Sequence, residues 1–470
     1  MGRKKDREKQ QGLWVAASEM VTTPGHAFYE RLNQVLEAEK FDQRVEVLCR
    51  KYYKSSSGRP SMTPGTYFRM LLLGYFEGID SERGIAWRAA DSLSLRKFLG
   101  YDLSEATPDH STVSRTRRLY SVATHRAVVQ WVLKILRKHG LAQGQSVSID
   151  ATTLEANAAM KSLVRRDTGI GYDEYLRQLA QAEGIENPTQ EQAARLDRKR
   201  KKKASNDDWT NPHDPSARIT KMKDGRTKLA HKAEHAVDLA DGAVLAVTVQ
   251  PADRGDTVSY VETLESAQVE SAKAHLSGIE EVVMDKGYHS GAVLMDLAQR
   301  EIRSYVSEPE RGRRHWAGKA EEQQRVYENR RRVRGERSKR LQKLRGELCE
   351  RSFAHCYETG GMRRVHLRGS DNVLKRVLVH AAAFNIGLLL RKLSGWGKPR
   401  QPQGRLPASS ALLSILFAVQ KADTDGLLDA ETKLVVSRSP LPNRKNLLPD
   451  KLRIRSLRLK GQIDLEVCLG

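Results

Sequence analysis

Cysteine is scarce in this chain. There are 4 in 470 residues, Cys49, Cys349, Cys356 and Cys468, and no two stand as Cys-x-x-Cys. Neither a zinc site nor a dithiol redox motif is expected, and so few thiols suit a reducing cytosol. Residues 1–9 are charged and lack the apolar stretch of a secretory signal. No apolar run approaches the ~18 residues of a membrane helix, and residues 412–419 are too short. These absences predict a soluble, cytoplasmic (nucleoid-associated) protein with no membrane partner. No internal repeat is visible. Negative charge is also in short supply: 58 Asp and Glu face 81 Lys and Arg, a net charge of +23. That surplus points to a polyanion, and nucleic acid is the obvious one. A basic RNA-binding structural factor would carry the same charge but predicts no metal dependence. Hydrophobic residues at 39% suffice for a core, and the length suggests more than one domain.

What is present is a pair of aspartates at the ends of apolar runs. Ser146-Val147-Ser148-Ile149 leads into Asp150, and Glu281-Val282-Val283-Met284 leads into Asp285. Each run predicts a short buried strand that stops at a carboxylate. A buried strand has little reason to end on Asp unless the charge meets water, a cation or a backbone donor. Two such ends side by side would suit Mg²⁺, which binds one or two carboxylates together with substrate phosphate. A third acidic ligand would come from the helix after the basic segment, where Glu347 and Glu350 stand at i, i+3. Periodicity alone does not choose between them.

Around this pair the chain reads as α, then α/β. Residues 1–140 predict helices: one opening at Thr63-Pro64, one near Ser81, and one from about Thr107 running towards Leu136. Arg115, Arg117 and Arg118 form a basic stripe on the third, as in a helix-turn-helix DNA reader or a bundle with a solvated basic face. After the first strand comes a polar insertion, about 157–226, read as a helix and a loop. It carries Arg198, Lys199, Arg200, Lys201, Lys202 and Lys203, a run suited to clamping DNA. Strands at 233–239 and 244–249 flank Asp241-Gly242, a hairpin signal. Then come a helix at 257–275, the strand ending at Asp285, a helix at 291–300 and a strand at 302–306. This order predicts a mixed sheet with helices on its faces. Helices follow at 343–353 and 372–393. Residues 396–470 are a linker and a tail to which no role is assigned. His231 and His235 are read as packed or exposed residues, Asp253 and Asp256 as helix caps, and Tyr288 as substrate-facing or core. Gly287 is read as allowing a tight turn.

Four stretches in order resemble the DDE transposases of bacterial insertion sequences. They are Thr107-Pro-Asp-His-Ser-Thr-Val-Ser-Arg115, Ser148-Ile-Asp150-Ala-Thr152, Val283-Met-Asp285-Lys-Gly-Tyr288, and Cys349-Glu350-Arg-Ser-Phe353 with Gly361-Met-Arg-Arg-Val-His-Leu-Arg-Gly369. The resemblance spans roughly residues 40–392. It implies an RNase H-like catalytic core in 141–395 behind an all-α DNA-binding region. It implies Asp150, Asp285 and Glu350 as metal-binding catalytic triad, Mg²⁺ as cofactor with Mn²⁺ as a possible substitute, and a homodimer on double-stranded DNA bearing terminal inverted repeats and on target DNA. Related transposases often carry Lys seven residues after the glutamate, where this chain has Tyr357. Arg351, Arg363, Arg364 or Arg368 are candidates to replace that phosphate contact, and Lys286 is another DNA-facing cation. Competing readings are a nuclease on the same core without strand transfer and an inactive DNA-binding derivative.

Overall fold

The computed structural model describes residues 25–53, 61–185, 187–199, 205–222, 224–310, 312 and 314–400, with the short pairs 457–458 and 464–465. The chain divides into two units, Met1–Pro399 and Arg400–Gly470.

Among the described residues seven α-helices open the first unit: α1 (Ala27–Ala38), α2 (Phe41–Cys49), α3 (Pro64–Glu77), α4 (Glu82–Asp91), α5 (Leu93–Leu99), α6 (His110–Leu119) and α7 (Val122–Lys138). Their starts are written in capping residues. The side chains of Thr63, Ser81, Ser92, Asp109 and Ser121 each accept from a backbone N–H of the first turn. Pro64 occupies the first position of α3, where no N–H is needed. The helix expected to run from 107 to 136 is two helices. Tyr120 is extended and Ser121 caps a new start, so the chain turns between them.

The second half alternates: β1 (Ser146–Glu155), β2 (Val164–Arg165), α8 (Tyr172–Ala182), α9 (Gln190–Lys199), β3 (Trp209–Thr210), β4 (Arg218–Lys221), β5 (Thr227–Asp238), β6 (Val244–Pro251), α10 (Asp256–Lys273), β7 (Glu281–Met284), α11 (Gly291–Gln299), β8 (Arg303–Val306), α12 (Ala320–Arg334), α13 (Glu336–Phe353) and α14 (Ser370–Ser394). A π-helical turn, Ala354–Glu358, extends α13. The main sheet runs β6-β5-β1-β7-β8, with β4 pairing the start of β5 on the edge that β6 uses further along. β5 is antiparallel to β1, β4 and β6, whereas β7 is parallel to β1 and β8. The architecture is thus mixed α/β, a mixed sheet flanked by helices, as the alternation predicted.

The hairpin turns where Asp241-Gly242 predicted. Gly242 has φ +84°, and a Cβ there would stand 3.0 Å from Leu348 Cδ2 of α13. Only glycine takes that conformation at no cost. The insertion differs from the expected helix and loop. It holds α8 and three short strands around a small core of Leu163, Trp209, Ala217 and Ile219, closed by Leu229 of β5, with α9 packed on α8, and one of the strands, β4, joins the main sheet. α14 is long and apolar enough to cross a membrane by length and composition, contrary to the sequence expectation. It is 89% buried over its most apolar window and serves as the central core helix against α3, α7 and β6. In the second unit, β9 (Leu457–Arg458) and β10 (Asp464–Leu465) pair antiparallel.

On each outer strand of the main sheet, β6 and β8, one residue is capped by a buried asparagine. Asn385 of α14 accepts from Val244 N at 2.9 Å and donates to Val244 O at 2.8 Å. Asn329 of α12 does the same for Val306, at 3.1 and 2.8 Å. Each carboxamide stands in for a missing strand and leaves no backbone group of that residue unpaired.

Candidate active site

Asp150 lies within β1 rather than at its end, because β5 goes on pairing with β1 as far as Glu155. The other edge of β1 is different. Its parallel pairing with β7 stops at Ser148↔Val283. Two residues further on stand Asp150 and Asp285. Alternation puts Ser148, Asp150 and Thr152 on one face, and Val283 and Asp285 on that same face. The two carboxylates therefore share a side of the sheet at the level where β1 and β7 part.

Each is oriented. Asp150 Oδ1 accepts from Ala151 N at 2.8 Å, and its Oδ2 pairs with Arg345 Nη1 at 2.9 Å. Asp285 Oδ1 accepts from Gly287 N at 2.8 Å and so caps the 3₁₀ turn Lys286–Tyr288. A Cβ on Gly287 would stand 2.8 Å from Asp256 Oδ2 and 3.1 Å from Asp285 Oδ1, so a side chain there would push on both carboxylates. Tyr288 is core, and its hydroxyl donates to buried Glu234 at 2.8 Å. Ser259, at 2.8 Å, and Thr263 of α10 donate to the same carboxylate. Burial raises the Glu234 pKa, and the three hydroxyls pull it back. Buried Lys232 donates to Ser259 Oγ at 2.7 Å and also to Asp256. Asp256 is the first residue of α10 and partners Lys232, while Gly255 holds the cap position expected of an aspartate. Asp253 lies 3.7 Å from Arg218.

α13 crosses the carboxylate face. Gln342, Arg345, Cys349 and Ser352 point at the sheet: Gln342 reaches the carbonyls of Met284 and Tyr305, Arg345 reaches Asp150, and the Cys349 thiol donates to Ser148 Oγ at 3.1 Å. Burial pushes that thiol up to about 12. Ser352 pairs with His235 Nδ1 at 3.0 Å, and the Tyr357 hydroxyl meets Nε2. His235 is the cross-strand neighbour of Asp150, and burial holds its pKa down to about 3. At ~100° per residue, Glu347 sits about 160° from Arg345 and Cys349, on the far side of the helix. It pairs there with Arg351. Glu350 is about 80–100° from Gln342 and Cys349 but about 140–160° from Arg345 and Ser352, on the flank of the helix, and is exposed. Among the described residues no three of Asp, Glu, His or Cys converge closely enough to hold a metal ion. Asp150 and Asp285 are brought to one face, but Glu350 does not join them. The donor chemistry of the aspartate pair suits a hard, oxygen-seeking cation.

The expected DNA contacts divide. Arg115 and Arg118 are exposed on α6. Arg117 is not on that stripe: it is buried and ion-paired with Glu82 at 2.7 Å, which corrects the sequence reading. Arg198 and Lys199 are exposed at the end of α9, whereas Arg200, Lys201, Lys202 and Lys203 lie outside the described residues. Lys286 is exposed beside Asp285. Arg363 is anchored on the carboxylate face, its Nη1 donating to Thr152 Oγ1 and Thr153 O at 2.9 Å each. Arg364 is exposed, 3.9 Å from Glu155, and Arg368 Nε lies 3.4 Å from Asn157 O. Buried His231 pairs with Asp214 at 3.1 Å, so both histidines are structural. The sequence reading missed Arg345, Gln342 and Glu234. The first two had one faint signal, since Gln342, Arg345 and Cys349 recur at i, i+3, i+7 and share a face.

Residues 16–119 match the family model "Transposase domain (DUF772)", and residues 198–386 match "Transposase DDE domain". No curated protein matches the chain. The two matches and the mixed α/β fold define a transposase. More narrowly, the chain belongs to the insertion-sequence DDE transposases. Asp285 and Glu350 fall inside the second match, and Asp150 falls between the two.

Proposed function

We propose that this transposase cuts DNA at the ends of its insertion sequence and joins the freed 3′-hydroxyl to target DNA. The observation that carries this reading is the placement of Asp150 and Asp285 on one sheet face where β1 and β7 separate. The strand order β6-β5-β1-β7-β8, three antiparallel strands followed by two parallel ones, supports an RNase H-like core.

Asp150 and Asp285 would hold a divalent cation, Mg²⁺ or Mn²⁺ in its place, with Glu350 completing the set from α13. Bound there, the cation supplies a lowered pKa for the attacking water or 3′-hydroxyl and charge stabilisation for the leaving oxygen. The protein does the rest by positioning. Asp285 is fixed by its own turn, and that turn is fixed through Tyr288 to Glu234. His235 clamps the π turn after α13 to β5, directly across from Asp150 on β1. Arg363, held to Thr152 two residues past Asp150 on the same face and paired with Glu358, is the candidate for the phosphate-facing role that Tyr357, buried on His235, does not fill. Lys286 and the exposed Arg115 and Arg118 hold the DNA backbone, with Arg198 to Lys203 as a further cationic arm. Hydrolysis at the element end and attack by the 3′-hydroxyl are both in-line phosphoryl transfers, so one site serves both. A homodimer would pair the two inverted repeats.

The test is Mg²⁺-dependent cleavage and joining on DNA carrying the element's ends. Asp150→Ala, Asp285→Ala and Glu350→Ala should each lose both steps by at least about a hundredfold, the scale of losing positioned charge stabilisation. Glu347→Ala should retain them. Cleavage without joining in the wild type would leave a nuclease. Binding without cleavage on the correct ends would leave an inactive DNA-binding protein.

A further inference from the structure

Asp150 already has a cation at hand. Arg345 Nη1 sits 2.9 Å from Asp150 Oδ2, and the two side chains are only 20% and 21% exposed. The guanidinium is tied from behind. Its Nε donates to Gln342 Oε1 at 3.0 Å, and Gln342 Nε2 donates to the carbonyls of Met284 and Tyr305 at 3.2 and 2.9 Å. Met284 immediately precedes Asp285. One run of hydrogen bonds thus joins Asp150 to the strand end that carries its partner aspartate. A divalent cation and a guanidinium cannot both take the same carboxylate oxygen at bonding distance. This burial makes the ion pair stronger than one in open water.

We propose that Arg345 is a tethered counterion: it holds Asp150 in place when no metal is bound, and a divalent cation enters the site only by displacing it. The inference rests on Asp150 and Asp285 being the metal ligands. Arg345 and Gln342 are then positioning residues. They keep the pair of strand ends in register and set a low metal affinity in the DNA-free protein.

The test is Mn²⁺ binding to the full-length, DNA-free protein by calorimetry. Arg345→Gln should bind Mn²⁺ about two- to fivefold more tightly than wild type, the factor an ion pair of this kind supplies. Arg345→Lys keeps the charge but loses the Gln342 anchor, and should fall between the two. Asp150→Asn should bind weakly, and adding Arg345→Gln to it should change nothing, because the guanidinium then has no carboxylate to release. Melting curves show which variants are folded, and if the Gln variant does not melt cooperatively the Lys variant decides. Unchanged or weaker affinity in the folded Arg345 variants overturns the counterion role while leaving the ligand reading standing. Wild-type Mn²⁺ affinity in Asp150→Asn brings down the ligand reading and the inference with it.

Discussion

At the residue scale, three arginines of one helix take two different jobs. Arg115, Arg117 and Arg118 are alike in a sequence, yet a turn of helix separates solvent from core. Arg117 Nε and Glu82 Oε1 are 2.7 Å apart, with side chains 9% and 13% exposed. Removing one partner of a buried ion pair leaves an uncompensated charge and costs about 3–5 kcal/mol. Arg117→Ala should therefore destabilise the protein by about that much, read as a fall in the urea midpoint. Arg115→Ala and Arg118→Ala should stay within about 0.5 kcal/mol of wild type and instead weaken DNA binding, with a shallower salt dependence of about one unit each. A stable Arg117→Ala, or exposed arginine variants with unaltered DNA affinity, would reverse these assignments.

At the element scale, two edge residues of the sheet are satisfied by side chains that no strand pattern announces. Asn329 and Asn385 are fully buried, and each satisfies both backbone groups of an edge residue. Truncating either to alanine orphans an N–H and a C=O at about 1–3 kcal/mol each. Asn329→Ala and Asn385→Ala should each cost about 2–4 kcal/mol by chemical denaturation, and the double variant should be nearly additive, since the two sit on opposite edges. Loss below about 0.5 kcal/mol would show that water replaces the carboxamide. The same elements mark where sequence reading works. β5, β6, α10, β7, α11, β8 and α14 were legible because apolar period and turn residues agree, although β5 begins at Thr227, earlier than its apolar pattern does. β1 was read as ending at Asp150. It continues because Leu154 is buried and β5 goes on pairing, and the charge sits where only the β7 edge has been lost. α12 was hidden by its arginines, with only Val326 and Asn329 buried. Asp150 and Asp285 stood out because a charge interrupts an apolar run. Arg345 did not, because its partner lies 195 residues away.

At the scale of the whole molecule, three buried histidines tie the helical region, the sheet and the core helix into one pH response. His125 of α7 is held to about 4 by burial, His235 of β5 to about 3, and His380 of α14 well below its usual value, with Arg376 beside it adding to the effect. Tyr67 meets His125 at 3.0 Å, Ser352 meets His235 at 3.0 Å, and the Cys356 carbonyl meets His380 at 3.0 Å, so each ring is packed with polar partners while neutral. All three folded values lie below the unfolded value of about 6.5. The unfolded chain therefore binds more protons between about 6.5 and 3–4, and stability falls as pH falls through that window. Each histidine contributes at most about 1.4 kcal/mol per pH unit there. Glu234 and Asp238, whose carboxyls burial pushes up, act in the opposite sense as they protonate. The melting midpoint of the full chain should be level above about pH 7 and drop steadily from about 6.5 to 5. His235→Gln should flatten part of that drop while lowering the midpoint at pH 7.5, since glutamine carries no titrating proton but fits the site less well. A midpoint that does not move between pH 7 and 5, in wild type or variant, would mean that these rings take up their protons without opening the core.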